Sequence, residues 1–286
     1  MSVRVYVVIG LVIGAVLGFF MTFGFLSFSE NIDALVGKSA YSLFKEVFAP
    51  MAAGFGGAVA GAYSSYYLAL NESRKRQMET DAELVNTSVY LLLVKLNEIV
   101  GIRKQGFLPY DKDPIRFLKI PVFSSGGFVQ PPVDVRIITV LGKVGLGDIS
   151  EKLYLADNGY ASCLHCLELR NKKFLEVREL AERAGVLNGR SVRLDEYVET
   201  VGVPRLLGLY RVTEDLIEFL NKVVDDLETV LRAIEKGREN FVIDGRVSVM
   251  SLKFSDINGS KLSGPHFSDS NKLAEHLENQ RDNKPT

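Results

Sequence analysis

The strongest constraint on the fold is an apolar run near the N-terminus, residues 5–26, which contains no charged residue, proline, asparagine or glutamine. As a helix this run extends about 33 Å, which is enough to cross a hydrocarbon core of about 30 Å. A cleaved signal peptide is the competing interpretation, since Arg4 precedes the run. The run is longer than the apolar region of a typical signal peptide, and no Ala-x-Ala motif follows it. We therefore expect a first transmembrane helix within residues 1–28.

A second uncharged segment, residues 47–70, is richer in small residues. Its four glycines would weaken a helix exposed to water, whereas in lipid small residues let helix backbones approach closely. Pro50 lies in the first turn, where a missing N–H costs little. Tyrosines cluster at the far end, as aromatic residues do at a membrane interface. A buried, glycine-rich helix of a soluble protein is the alternative, but the pattern favours a second transmembrane helix.

The basic residues that flank these segments predict their orientation. Arg4 precedes the first segment and Arg74, Lys75 and Arg76 follow the second, which gives four basic residues on that side against two in the external loop at 29–46. By the positive-inside rule both termini lie in the cytoplasm, which places the protein in a cell membrane, the inner membrane if the source is bacterial. The expected interfacial anchors are Tyr63, Tyr66, Tyr67, Arg74, Lys75 and Arg76.

Small residues recur four positions apart in both segments, which places them on one helix face. Such faces let a second helix backbone pack closely. In one interpretation the two segments pack on each other as a hairpin; in the other, a row also drives self-association with a second copy of the chain. The predicted packing residues are Gly10, Gly14, Gly18, Ala53, Gly57 and Gly61.

The remainder predicts a cytosolic helical domain at 71–254. Apolar residues recur at three and four from Leu84 to Val100, which indicates a helix continuous with the second segment. Two helices of about 35 residues, which begin near Asp148 and Pro204, are typical of an antiparallel, coiled-coil-like pair. Asp148 is the predicted N-cap of the first, with Glu151 completing a capping box.

Three connecting features complete the predicted organisation. Five prolines mark residues 106–132 as a linker. Asp244-Gly245 predicts one small β-hairpin. The polar residues 255–286 predict a disordered tail, although residues 272–277 have the pattern of a helical turn. The fold class is thus an all-α membrane protein, with a two-helix transmembrane hairpin followed by a cytosolic helical domain.

Little in the sequence predicts chemistry. Cys163 and Cys166 form a CxxC pair that would supply two thiolates to a metal ion. Nothing else in the chain completes such a site, so a metal would have to be shared by two copies. Because Cys163 lies on an apolar helix face, we favour small core residues instead. Neither membrane segment has an ionisable residue, which argues against a transporter. With a net charge of −1, the chain has no basic excess for nucleic acid. We expect no catalytic residue, no enzyme activity and no cofactor.

Residues 96–99, Lys104-Gln105 and residues 155–157 resemble stretches of bacterial proteins that join N-terminal membrane helices to a helical cytosolic domain. The resemblance implies the same arrangement here and no particular activity. From the residues themselves we expect a membrane-anchored, self-associating interaction or signalling protein, with the lipid bilayer, a second copy and a cytosolic protein as partners. The alternative is a pore-forming effector that perturbs the membrane on a cytosolic cue.

Overall fold

A computed structural model describes residues 46, 49–123, 130–186, 194–243, 245–254 and 261–282. This part of the chain is mostly helical, with seven α-helices and one two-stranded antiparallel hairpin. The helices are α1 (Ala49–Ile102), α2 (Arg116–Lys119), α3 (Arg136–Lys143), α4 (Asp148–Arg183), α5 (Leu194–Val201), α6 (Val203–Lys236) and α7 (Ser270–Asp282). The strands are β1 (Val242–Ile243) and β2 (Arg246–Val247). The predicted first span and almost all of the external loop lie outside the described residues.

Helix α1 is the longest element, with 54 residues. It includes both the second predicted span and the amphipathic stretch that follows it, so the expected continuity of these two segments is confirmed. The chain divides into two compact units, Met1–Arg74 and Lys75–Thr286. In the second unit, α1 contributes the buried side chains Val85, Val89, Leu92, Leu96 and Ile99 to the core.

By length and composition, α1 is the one helix among the described residues that is long and apolar enough to cross a membrane. The 18-residue stretch that meets this criterion is 39% buried. The most apolar part of α1, residues 85–102, packs in the core, and a core helix of a soluble protein has the same composition. The remaining membrane evidence is the uncharged, exposed stretch before it.

Helices α4 and α6, of 36 and 34 residues, form the centre of the second unit. They run antiparallel, since Leu146, just before α4, packs on Gly237 at the end of α6, and Gly159 lies opposite Val223. The apolar residues that recur at three and four along α6 are all buried: Leu206, Leu209, Leu216, Leu220, Val223, Leu227, Val230 and Ile234. The two long helices are confirmed, while their coiled-coil geometry stays a prediction.

The predicted cap of α4 is wrong. Asp148 is the first helical residue, the N-cap is Gly147, and no side chain caps the helix. Asp148 and Glu151 both lie in the first turn, where their negative charges still favour the helix through its dipole. The predicted hairpin, by contrast, is present: Val242 pairs with Val247, and Gly245 has a φ of 75°, which suits glycine.

The proline-rich stretch at 106–132 is more than a linker where it is described. Phe107, Phe117 and Ile120 are buried, and Ile120 belongs to the main core. Gly106 lies so close to the ring of Phe123 that a Cβ at this position would be 2.5 Å from it. Proline prevents a long helix here, yet the apolar side chains between the prolines still bury themselves against α4 and α6.

The prediction of a disordered tail is wrong for residues 261–282. Helix α7 lies in this segment and packs against α5 and α6, with Leu273 and Leu277 fully buried. Asp269 caps the helix, since its carboxylate accepts hydrogen bonds from the backbone N–H groups of Asn271 and Lys272 (2.8 and 2.9 Å). Two leucines in about three turns are enough to order α7 when a complementary apolar groove receives them, although the average composition of this helix is polar.

Candidate functional site

The predicted membrane-packing row is partly described. Gly10, Gly14 and Gly18 lie outside the described residues, and so does the side chain of Ala53. Gly57 and Gly61 are exposed, and no atom lies within 4 Å of the position a Cβ would take at either residue. The role of this row in helix packing therefore stays a prediction.

The predicted interfacial anchors all lie on α1 and are exposed. Tyr63, Tyr66 and Tyr67 are about half exposed, at 52%, 51% and 54%. The basic residues that follow them, 74–76, are also exposed. Aromatic and basic side chains thus follow one another at the end of the uncharged stretch, which is the composition of a segment at a membrane interface.

The CxxC pair is divided between the core and the surface. Cys163 is 1% exposed, and burial raises the pKa of its thiol to about 12. Cys166 is half-buried, with a pKa raised by burial and then by Asp215, while His165 between them is exposed. Both thiols therefore resist the ionisation that metal binding requires. Among the described residues, no group of three or more His, Cys, Asp or Glu side chains is placed to hold a metal ion.

The densest polar cluster surrounds Arg116, a fully buried residue at the start of α2. Its guanidinium donates from Nε to Oε1 of Glu214 (3.0 Å) and from Nη2 to the other oxygen of that carboxylate, a bidentate ion pair. Nη1 donates to Oδ1 of Asp111 at 2.8 Å. Because both acids are themselves largely buried, the cation and its two partners depend on one another.

The same guanidinium also binds the C-terminal segment. It donates to Oγ of Ser263 and to the backbone carbonyls of Ser263 and Gly264, each at 3.1 Å. In return, the backbone N–H of Ser263 donates to Oδ1 of Asp111 at 3.0 Å. Arg116 thus joins three segments that are distant in sequence: the stretch before α2, helix α6, and the residues before α7.

The arrangement is suited to holding a peptide segment rather than to a reaction. His266 lies beside the cluster, but its Nε2 contacts the backbone oxygen of Asp111 (2.7 Å) and reaches neither the Ser263 hydroxyl nor a carboxylate in the described contacts. The Ser263 hydroxyl is already engaged by Arg116 and Asp111. The catalytic pattern of a nucleophile activated by a base therefore does not form here.

A second polar cluster links α1 to α4. Lys95, 1% exposed, donates to Oδ1 of Asp157 at 2.5 Å, and Asp157 accepts the backbone N–H of Val133 at 3.1 Å. One turn along, Tyr160 donates to Oε2 of Glu98 at 2.6 Å, and burial raises the pKa of this tyrosine. Each group has a partner within the cluster, so its evident role is to fix the register of α1 against α4.

Arg170 is a third buried cation, and its partners are backbone oxygens. Its guanidinium donates to the carbonyls of Phe117 (3.1 Å), Ile120 (2.5 Å) and Pro121 (2.9 Å), and its Nε has no hydrogen-bond partner among the described residues. Burial lowers the pKa of Arg170 to about 10. The side chain satisfies the carbonyls at the end of the short helix α2, which holds the proline-rich stretch against α4.

A groove of about 540 Å³ lies between α1 and α3. Nζ of Lys143 lies 2.8 Å from Oδ2 of Asp81 across the groove. Arg136 and Asp134, which also line it, form a second ion pair. With Glu83 the lining holds three acidic and two basic side chains, four of which form these two ion pairs, so the groove has no strong charge that would select an anion or a cation.

The Arg116 cluster and the packing of α7 are the features that the sequence reasoning missed. Glu214 and Ser263 lie 98 and 147 positions from Arg116, so no local spacing connects them. A local signal existed for α7 alone: Asp269 as a cap, followed by leucines at 273 and 277.

No family model, curated protein or solved structure matches this chain.

Proposed function

We propose that this protein is a membrane-anchored, self-associating interaction or signalling protein. Residues 5–26 and 47–70 form a transmembrane hairpin, and the helical domain that follows lies in the cytoplasm. Its partners are the lipid bilayer, a second copy of the chain and a cytosolic protein. Binding rather than catalysis is the proposed activity.

The observation that carries this proposal is the surface of the first part of α1. From Ala49 to Leu70 the helix has no charged residue and, at 1.5 Å per residue, extends about 33 Å. Phe55 and Leu68 are 58% and 67% exposed, along with the three tyrosines. In water this continuous apolar surface would be costly, whereas lipid covers it without loss.

Self-association is supported by the small-residue rows. Gly57 and Gly61 leave an open strip on α1, and close approach of a second helix backbone is the stabilising contact available in lipid. Because no described atom occupies this strip, a partner helix has access to it. That helix is either the first span of the same chain or a span of a second copy.

Substitution of the first row separates these two partners. Gly14→Ile inserts a bulky side chain at the centre of the row, and Gly24→Ile, which lies off the row, is the matched control. Self-association predicts a normal protein level with fewer cross-linked oligomers for Gly14→Ile, whereas an intrachain hairpin predicts a lower level through misfolding. If both variants behave as the wild type in level and cross-linking, the rows do no packing.

Two measurements decide the remaining parts of the proposal. The protein should remain in the membrane fraction after alkaline carbonate extraction, and release into the supernatant would contradict insertion. Overexpression should leave the membrane potential intact. Rapid ion leakage would instead favour the pore-forming effector.

A further inference from the structure

The C-terminal segment 261–282, which we call the arm, lies in a groove built by other helices. The groove is lined by apolar side chains of α2, α4, α5 and the first half of α6. Two leucines of the arm, Leu273 and Leu277, are fully buried in this groove and belong to the same apolar cluster. The lining includes Phe117, Val177, Val198, Val201, Leu206 and Tyr210.

Three polar anchors hold the part of the arm that precedes α7. Asn221 exchanges two hydrogen bonds with the backbone of Leu262, at 3.0 and 3.1 Å. Arg116 holds the carbonyls of Ser263 and Gly264. The Tyr210 hydroxyl lies 3.3 Å from the backbone oxygen of Phe267, and the two rings meet edge to face at 6.0 Å.

These contacts bind the arm in the way that a peptide-binding site binds its ligand. The anchors contact backbone atoms at 262–264 and 267, and the groove then takes apolar side chains spaced four residues apart on an amphipathic helix. The core formed by α1, α4 and the second half of α6 receives from the arm only Leu262. Among its buried side chains, the arm therefore contributes one to the main core and two to the groove.

We propose that the groove is a docking site for the arm and that arms exchange between copies of this chain. A second copy presents an identical arm, so every contact made within one chain can be remade between two without any new surface. This inference deepens the proposed self-association, because it adds a cytosolic contact to the membrane rows. The partner it names is the arm of a second copy.

The test uses the full-length chain in detergent and a fluorescent peptide of residues 261–282. In the variant Leu273→Asp/Leu277→Asp, the chain's own arm no longer fits an apolar groove, so the groove is free. We expect the peptide to bind this variant at least tenfold more tightly than the wild type, whose groove is occupied. The control Asn271→Asp/Asn279→Asp adds the same charge at exposed positions of α7 and should behave as the wild type. Equal binding to all three chains, or no binding to the first variant while its core amides remain protected, overturns the inference.

Hydrogen exchange on the wild type tests the same point without a substitution. An arm that exchanges must open without unfolding the core, so amides of α7 should exchange at least tenfold faster than those of α6 at 216–234. Exchange of both helices as one cooperative unit would contradict the inference, whether or not the aspartate variant folds.

Cross-linking in membranes separates this inference from the proposed function. We expect the aspartate variant to lose cross-links between cytosolic domains and to keep those that depend on Gly14. Unchanged cytosolic cross-links would refute arm exchange and leave membrane self-association standing. We expect Gly14→Ile to lose only the Gly14-dependent cross-links and its groove to bind the arm peptide as the wild type does. This result would support both arm exchange and membrane self-association.

Discussion

At the scale of single residues, Arg116 is a buried cation that joins three segments distant in sequence. Arg116→Met would leave Asp111 and Glu214 without the guanidinium that neutralises them, and removal of one partner of a buried ion pair typically costs about 3–5 kcal/mol. We expect a loss of that size in the free energy of unfolding, measured by urea denaturation in detergent. Arg183→Met is the control, because its ion pair with Glu179 is exposed and such pairs contribute about 0.5 kcal/mol or less. Equal losses in the two variants would show that the buried cluster has no net role.

The buried thiol supplies a residue-scale prediction with a defined pH range. The pKa of Cys163 is about 12 in the folded protein against an ordinary value of 9.0. A raised pKa on an acid means that its stabilising contribution is complete below about pH 9 and is lost as the pH rises toward 12. Unfolding measured at pH 8 and pH 10.5 should show a smaller decline for Cys163→Ala than for the wild type.

Thiol labelling checks the same burial at neutral pH. Cys166 should react with a thiol reagent well before Cys163, because Cys163 is 1% exposed and its thiolate is disfavoured. The zinc content of the purified protein should be unchanged in a chain with both cysteines replaced by alanine. Stoichiometric zinc that disappears on this replacement would contradict the assignment of Cys163 to the core.

At the scale of elements, α4 offers a matched pair of leucines that differ in burial. Leu167 is 1% exposed and belongs to the main core, whereas Leu169, two positions on, is 46% exposed. Leu167→Ala should lower the free energy of unfolding by about 2–5 kcal/mol, since it removes apolar contacts and leaves a cavity. Leu169→Ala should cost no more than about 0.5 kcal/mol. Similar losses would mean that α4 presents a different face to the core.

The elements also show where local sequence is informative. The long helices and the hairpin were predictable, because an apolar spacing of three and four or an Asp-Gly turn is complete within a few residues. The cap of α4 and the packing of 106–123 were not. Gly147 and Asp148 compete for the N-cap position one residue apart. Phe117 is buried among side chains of α4, α5 and α6, and its carbonyl accepts a hydrogen bond from Arg170, 53 positions away.

At the scale of the whole molecule, the proposed topology depends on few charges. Replacement of Arg74, Lys75 and Arg76 by glutamine leaves one basic residue on the cytoplasmic side against two in the loop, so the bias reverses. A periplasmic phosphatase fused after Thr286 should be inactive on the wild type and become active on this triple variant. Lys272→Gln, far from both spans, should leave it inactive. Phosphatase activity on the wild type would overturn the orientation itself.

The sequence by itself determined the properties that depend on neighbouring residues: two uncharged segments of membrane length, a mostly helical chain, the faces of α4 and α6, and the position of the hairpin. Tertiary structure alone decided which polar residues are buried in ion pairs and hydrogen bonds. Arg116, Glu214 and Ser263 are unremarkable in the sequence, and the polar tail has the composition of a disordered segment. A buried charge is stable only when partners from distant segments surround it, and two leucines order a polar helix only when a groove receives them. Both conditions arise from the folded chain, because burial is a property of the assembled segments and not of any one of them.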